Sequence, residues 1–324
     1  MAWKQFKGRQ LLRRAPNGAD RPGVEQNNNN TDTELRNCMK LKLKKTSSTT
    51  QSFNRTKLLG ALLAAAPMFA SLPATAQDPG LDDAAMAKSE APFVTGTLVL
   101  AIDTHFVSYG ADVWGAGSRW KDALFHPSLE LNFDLGKGFK GIAGIWMDVN
   151  NNTETTIGQK VTQEVDVWVG LSYGYKEWTF TALYQEWMYA SQNERIVDLK
   201  VAYDYWLNPS ATLHCRVANG LDNTDIENGV VGVLGVAPGT SWKDISFSFP
   251  VNVAFQSNEF QEDGDAGFSY ASAGANLSIP LKFIPKGDWT FGAGLTYFYT
   301  SDDAIPGNKN SCFLTGTTSI ALAF

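Results

Sequence analysis

Alternation between apolar and polar side chains, sustained well beyond the length of an ordinary strand, most restricts how this chain can fold. Phe125, Pro127, Leu129, Leu131, Phe133 and Leu135 alternate with His126, Ser128, Glu130, Asn132 and Asp134. Val197, Leu199, Val201 and Tyr203 alternate with Asp198, Lys200, Ala202 and Asp204, and Ile245 to Phe255 repeats the pattern with Ser246, Ser248 and Asn252. Successive side chains of a strand point to opposite faces, so each segment has one apolar side and one mostly polar side. About twelve such segments, each roughly 10 to 15 residues long, exceed the ~6 residues usual in soluble sheets and match a tilted bilayer span. They begin near Phe93, Leu124, Phe139, Val161, Trp178, Ile196, Ala211, Gly229, Lys243, Gly267, Trp289 and Asn310.

The last of them ends the chain. Gly316, Thr318, Ile320, Leu322 and Phe324 share one phase, with Thr315, Thr317, Ser319, Ala321 and Ala323 on the other. No turn follows, so this edge needs a paired neighbour and its apolar side needs something other than water. A closed barrel in a bilayer supplies both, and the fold class expected is an all-β, transmembrane, antiparallel up-and-down β-barrel of about twelve strands. Connections alternate in length. The short ones are read at 136–138, 175–177, 208–210, 238–242 and 282–288, and the longer ones at 107–123, 150–160, 219–228, 256–266 and 301–309, with 191–194 as an exception. In outer-membrane barrels the short turns are periplasmic and the long loops external, which places both ends of the barrel chain in the periplasm. Trp178, Trp187, Tyr189, Trp206, Trp289, Tyr297 and Tyr299 fall near strand ends and read as aromatic girdles.

Charge divides the chain in two. Residues 1–76 carry thirteen Lys and Arg against four Asp and Glu, a balance of +9, whereas residues 77–324 carry fourteen against twenty-nine, a balance of −15. Arg55 and Lys57 precede an apolar run from Leu58 to Leu72, followed by Pro73 and Ala74-Thr75-Ala76, the form of a secretory signal cleaved after Ala76. The expected organisation is a low-complexity extension over 1–38 with the true start at Met39, a signal peptide with a long basic leader over 39–76, a flexible lead-in over 77–92 and the barrel over 93–324. Cys215 and Cys312 remain in the mature chain on segments far apart in order, and no disulfide between them is expected.

The stretch "DVWGAGSRWKDALFHPSLELN" from Asp112, followed by "GIWMDVNNN", "QEVDVWVGLSYGY" and "LSIPLKFIPKGDWTFGAGLTYFY", resembles the TorF-like family of bacterial outer-membrane porins. The likeness spans most of Phe93 to Phe324 and implies an outer-membrane location and a porin role. It also implies that Ile320, Leu322 and Phe324 form the terminal signal read by the outer-membrane assembly machinery.

With apolar phases toward lipid, the opposite phases line the lumen. Those phases hold Glu130, Asp134, Asp148, Glu164, Asp166, Asp198 and Asp204, together with Lys140, Lys200, His214 and Arg216. Moving a Lys or Arg to the lipid side at mid-bilayer costs roughly 2 to 4 kcal/mol, so the inward assignment follows. Two consequences are compatible with it: an acidic constriction favouring cations or polar neutral solutes, or neighbouring strands pairing their charges to fill a narrow lumen. The inward Trp146, Trp168 and Trp206 narrow the bore further.

Other chemistries leave weaker traces. His126 and Ser128 stand at i and i+2 on one face, a pair that a lipid hydrolase would need, without an orienting motif. Asp148-Val149-Asn150-Asn151-Asn152 starts like a calcium loop but lacks its glycine and closing glutamate, and no zinc spacing occurs, so no metal or cofactor is expected. Glu259, Glu262, Asp263, Asp265, Asp302 and Asp303 make two loops acidic, which reads first as a solvated surface and, as the alternative, as a site for divalent cations that bridge lipopolysaccharide. The negative mature chain is unsuited to nucleic acid. The expected function is a non-enzymatic porin-like channel for passive diffusion of small polar or cationic solutes, in contact with outer-membrane lipid and lipopolysaccharide. The alternatives are a barrel hydrolase acting on lipid and a closed structural or adhesion barrel acting through its external loops.

Overall fold

The computed structural model describes residues 92–324 apart from 114–119, 151–160, 190 and 222–225. The leader, the signal segment and nearly all of the lead-in lie outside the described residues. Twelve spanning strands follow one another: β1 (Val94–Asp103), β2 (Leu124–Gly136), β3 (Phe139–Val149), β4 (Thr162–Tyr175), β5 (Trp178–Tyr189), β6 (Gln192–Tyr203) and β7 (Ser210–Asn219). Next come β8 (Gly229–Val236 continued by Gly239–Trp242), β9 (Ile245–Ser248 continued by Val251–Gln256), β10 (Gly267–Pro280), β11 (Asp288–Thr300) and β12 (Cys312–Ala323). Each pairs antiparallel with its sequence neighbours, and β1 pairs with β12 from Thr97↔Ala323 to Asp103↔Thr317, which closes the sheet. The chain is thus an up-and-down antiparallel barrel with no free edge.

Closure extends to the last residue. Gly96 donates its N–H to the Phe324 carbonyl at 2.7 Å, and Phe324 N–H returns to Gly96 O at 3.0 Å. The Phe324 ring lies over Gly96, where a Cβ would meet it at 2.5 Å, so the ring can settle on the seam because no side chain stands there. Backbone groups that no water can reach in a bilayer are in this way paired around the whole circumference.

Prolines explain the breaks in β8 and β9. Pro238 and Pro250 have no N–H to give to the ladder and sit one position out of register with each other across this pair, Pro238 opposite Phe249. Their carbonyls remain in use, accepting from Phe249 N–H at 2.9 Å and Gly274 N–H at 2.8 Å respectively. The strands therefore continue past them, and the turn expected at 238–242 sits instead at Lys243-Asp244, beyond the Trp242↔Ile245 pair. The remaining short connections fall at 137–138, 176–177, 204–209 and 281–287. Lys137, Lys176 and Lys243 take φ of 55°, 55° and 56°, the left-handed conformation that tight hairpins demand. We call this the turn end and the opposite rim the loop end.

The outer surface is an apolar belt. Leu100, Ile145, Val169, Leu171, Leu199, Leu213, Leu234, Leu295, Leu314 and Ile320 all point outward and exposed. No helix of the described residues is long and apolar enough to cross a membrane, and the spanning elements are the strands. Aromatic side chains rim the belt: Trp178, Phe180, Tyr203, Tyr205, Trp206 and Trp242 toward the turn end, and Phe255, Phe268 and Tyr299 in ring contact toward the loop end. Two residues expected in the girdles are inside. Trp187 and Tyr189 are 3 % and 7 % exposed and pack in the interior, because they share the inward phase of Leu183 and Gln185. Trp206, read as inward, is 65 % exposed, since β6 ends at Tyr203 and leaves it in a turn.

The belt makes a quantitative demand. Leu199 sits mid-strand between Ala182 and Leu213. Leu199→Arg is expected to destabilise the barrel by about 2 to 4 kcal/mol in a lipid-based unfolding titration. The same substitution at the turn-end residue Tyr205 is expected to cost far less.

Candidate functional site: the lumen and its inserted loop

The inward phases of the two halves of the barrel differ in chemistry. Apart from Asp288 at the turn-end rim, β8–β12 carry no inward Asp, Glu, Lys or Arg. They present Asn252, Ser272, Asn276, Ser278 and Thr296, with Gly235, Gly292 and Gly294 leaving room beside the asparagine and serine side chains. The other half, from Asp103 at the end of β1 through β7, carries the charges.

On that half, strand pairing sets acids beside bases. Asp103 Oδ2 lies 2.7 Å from His126 Nδ1, and Asp148 Oδ1 lies 3.3 Å from Nε2 of the same imidazole. Asn150 Nδ2 donates to Asp148 Oδ1 at 2.9 Å. Farther round, His214 Nδ1 contacts Asp198 Oδ1 at 2.5 Å, and Gln185 Nε2 donates to Asp198 Oδ2 at 2.6 Å. Arg216 Nε reaches Glu194 Oε2 at 2.9 Å, its Nη1 donates to the Phe260 carbonyl at 2.7 Å, and its guanidinium lies 4.2 Å from the centre of the Phe260 ring. Arg216 therefore ties the wall to the segment that follows β9.

A segment from the first long connection enters this space. Val107–Ser108 and Ala111–Asp112 form a small hairpin, and Phe106, Val107 and Tyr109 are 3 %, 6 % and 8 % exposed. The Tyr109 hydroxyl is 2.5 Å from His214 Nδ1, its ring lies 3.8 Å from that imidazole, and it stacks toward Trp187 at 6.4 Å. With Val107 it packs on Ile196, Val231, Ala254, Tyr270 and Phe298, which come from five different strands. Phe106 packs against Trp146 at 5.1 Å and His126 at 5.7 Å. Asn308 anchors the hairpin by donating to Gly110 O at 2.9 Å and accepting from Asp112 N–H at 2.8 Å. The loop-end half of the interior is thus filled by an apolar cluster ringed with paired charges.

Toward the turn end the wall thins out. Trp168 lies flat over Gly144, where a Cβ would meet its ring at 2.1 Å, and packs on Ile142 and Leu183. Its Nε1 donates to Glu130 Oε2 at 3.2 Å, while Asn132 Nδ2 donates to Glu130 Oε1 at 3.3 Å. Lys200 lies within electrostatic reach of both Glu130 and Asp198.

Of the residues read from the sequence as lumen-lining, Asp148, Glu164, Asp166, Asp198, His214 and Arg216 converge in the buried loop-end half, and Glu130 and Lys200 lie below them. Asp134 does not join them: it is exposed and accepts from Gly136 N–H at 2.8 Å, capping the β2–β3 turn. Asp204 lies past the end of β6 in a turn, exposed, and Lys140 is exposed near the rim. Asp103, Gln185 and Glu194 belong to the network and were not singled out. Glu194 shares the inward phase of Asp198, and extending β6 back over the polar run Gln192–Arg195 would have found it. Ile320 and Leu322 lie on the outward phase of β12, and Cys215 is a free thiol on the outward phase of β7.

No protein-family model matches the sequence, and no curated protein is significantly similar to it. Among solved structures, the chain is similar to an outer-membrane channel from Pseudomonas putida F1 (10 % identity over 75 % of this chain and 100 % of that one, TM-score 0.44). It is also similar to the NanC porin (11 %, 69 % and 98 %, TM-score 0.43) and to the KdgM porin (10 %, 70 % and 99 %, TM-score 0.40). The assignment of the barrel rests on the chain's own pairing and facing pattern.

Proposed function

We propose that this protein is a porin-like channel of the bacterial outer membrane, akin to the TorF-like porins, which passes small polar or cationic solutes passively along a charge-lined lumen. The observation that carries the reading is the inversion of polarity: a closed barrel with an apolar belt outside and hydroxyl, amide and carboxylate groups inside. A barrel built that way has lipid around it and water or solute within it. In this reading the turn end faces the periplasm and the long loops face outward. Ile320, Leu322 and Phe324 engage the assembly machinery, and the belt contacts lipid and lipopolysaccharide. The charged wall of β2–β7 opposite the neutral wall of β8–β12 sets a transverse field that favours cations.

The inserted hairpin supports a second reading, a closed barrel acting through its outer loops, because it fills the loop-end interior. Conductance in a planar bilayer separates the two. A lipid hydrolase fits the geometry less well. The two His126 nitrogens face Asp103 and Asp148, so neither serves as base for Ser128, and both residues sit on the inner face away from lipid.

A further inference from the structure

The outer belt is not evenly filled. On β5 the outward phase runs through Trp178, Phe180, Ala182 and Tyr184, and Ala182 is the one small side chain in that run. Register places it between Leu171 on β4 and Leu199 on β6, and the next outward row toward the turn end is Tyr173, Phe180 and Val201. The missing volume leaves an apolar groove of about 400 Å³ lined by these side chains, with Phe139 closing one side by stacking on Tyr173 at 4.5 Å. Ala182 lies four residues into β5 from Trp178. At about 3.3 Å per residue the groove therefore ends within about 13 Å of the strand end, inside one leaflet of a ~30 Å hydrocarbon core. A narrow trough of that extent suits one acyl chain laid along it. A second barrel docked here would bridge the trough and forfeit the dispersion contacts that a chain makes with its floor.

The rim above the groove indicates which headgroup that chain carries. In order around the circumference come Lys137 in the β2–β3 turn, Lys176 and Glu177 in the β4–β5 turn, and Asp204 just past β6, all exposed. Backbone hydrogen bonds hold this order: Gly174 N–H donates to Gly138 O at 2.9 Å, and Asp204 N–H donates to Glu177 O at 2.7 Å. Lys176 Nζ lies 5.4 Å from the centre of the outward, exposed Tyr175 ring, which keeps the ammonium on the lipid side of the rim. Asp134, the further acid near Lys137, is engaged in capping Gly136 N–H. Trp178 and Tyr203, in ring contact at 4.7 Å, mark the interfacial level between the two pairs of charges. Two cations followed by two anions are complementary to a headgroup in which a phosphate and a primary ammonium stand side by side. The phosphate accepts from the lysines, and the ammonium donates to the carboxylates.

We infer that the groove at Ala182 and the rim above it bind one glycerophospholipid with an ethanolamine headgroup, its acyl chain along Ala182, its phosphate at Lys137 and Lys176 and its ammonium at Glu177 and Asp204. The inference needs the barrel's seat in a membrane and not its conduction. Native mass spectrometry of the barrel in non-ionic detergent, offered phosphatidylethanolamine and phosphatidylglycerol at equal mole fraction, tests it. Wild type is expected to retain one phosphatidylethanolamine, several-fold in preference to phosphatidylglycerol. Ala182→Trp, which fills the groove, is expected to lower that retention about tenfold. The pair Lys137→Gln, Lys176→Gln is expected to lower it several-fold, and the pair Glu177→Gln, Asp204→Asn to remove the preference over phosphatidylglycerol. Heat-modifiable gel migration confirms that each variant is folded. Unchanged retention in folded Ala182→Trp, or no preference between the two lipids in wild type, overturns the inference. A dimer that Ala182→Trp dissolves also overturns it, and assigns the groove to a second copy of the chain. Conductance of the same preparation keeps the two claims apart. A conducting barrel that retains no phosphatidylethanolamine refutes the site and spares the channel, and a silent barrel that retains it does the reverse.

Discussion

Replacing Phe106, Val107 and Tyr109 together by glycine is expected to raise single-channel conductance several-fold without lowering the yield of folded barrel. The three side chains are buried against inner-face residues of at least seven strands, and they fill the loop-end half of the lumen, where on the proposed channel reading a solute would pass. Their removal takes nothing from the backbone ladder, which closes through β1 and β12 irrespective of the hairpin. The converse experiment locks the hairpin in place. Gln261 Nε2 approaches the Ser108 carbonyl at 3.5 Å, so the two positions are neighbours, and a Ser108→Cys, Gln261→Cys pair, in a chain whose own cysteines are serine, can be joined by a short reducible bis-thiosulfonate spacer. The cross-linked protein is expected to conduct least and to recover on reduction. Equal conductance of the stripped, wild-type and cross-linked proteins would show that solutes bypass the hairpin.

Arg216→Ala is expected to have the largest effect on stability of any single substitution in the lumen. The side chains of Arg216 and Glu194 are only 5 % and 3 % exposed, so removing the guanidinium leaves a buried carboxylate without its cation. Breaking such a pair from one side costs about 3 to 5 kcal/mol, several times the value of a surface ion pair. The loss also frees the carbonyls of Phe260 and Glu227, to which the same guanidinium donates, and exposes the Phe260 ring. A urea titration in detergent should register the loss, with Glu194→Gln in the Arg216→Ala background recovering part of it. By contrast, Arg195→Ala, which alters a half-exposed pair with Glu186 at 3.9 Å, is expected to change stability by less than about 1 kcal/mol.

Much of the barrel was legible in the sequence because each strand reports its own facing. The apolar phases read in β2, β6, β9 and β12 are the ones the barrel turns outward, with Leu199, Val251, Phe255 and Ile320 exposed, and the terminal phenylalanine implied the seam with β1 that the Gly96 hydrogen bonds make. What failed were places where tertiary structure overrides local pattern. Pro238 looked like a turn, yet a proline at an interruption between two long strands leaves the strand on course because its carbonyl still pairs. Gln192–Arg195 looked like loop because four polar residues hide a strand whose inner face is meant to be polar. Asp134 and Asp204 obeyed the phase but lay beyond the depth at which facing has meaning. The inserted hairpin was illegible for a different reason. Phe106, Val107 and Tyr109 show no period, and their burial depends on a cavity assembled from strands up to about two hundred residues away in the chain.

The charged wall was legible as a set of residues but not as a network. Phase alone brought Asp148, Asp198, His214 and Arg216 inward. Only the cross-strand register shows that Asp198 lies opposite His214, whereas Glu164 lies opposite Asp148 and Asp166 lies between Trp146 and Trp187, with no base in register. That distinction decides where a cation preference should reside. It also makes the neutral wall of β8–β12 informative, since the field across the lumen depends on what faces the acids.

Single-channel recording in a planar bilayer under a salt gradient, before and after the double substitution Glu164→Gln, Asp166→Asn, tests the channel reading most directly. The wild-type barrel is predicted to conduct, with a reversal potential of the sign that cation preference requires, and the double variant is predicted to conduct with that potential moved toward zero. A wild-type barrel that is silent, and stays silent when Phe106, Val107 and Tyr109 are glycine, would contradict the channel reading. Cation preference that survives the double substitution unchanged would place the filter elsewhere on the wall.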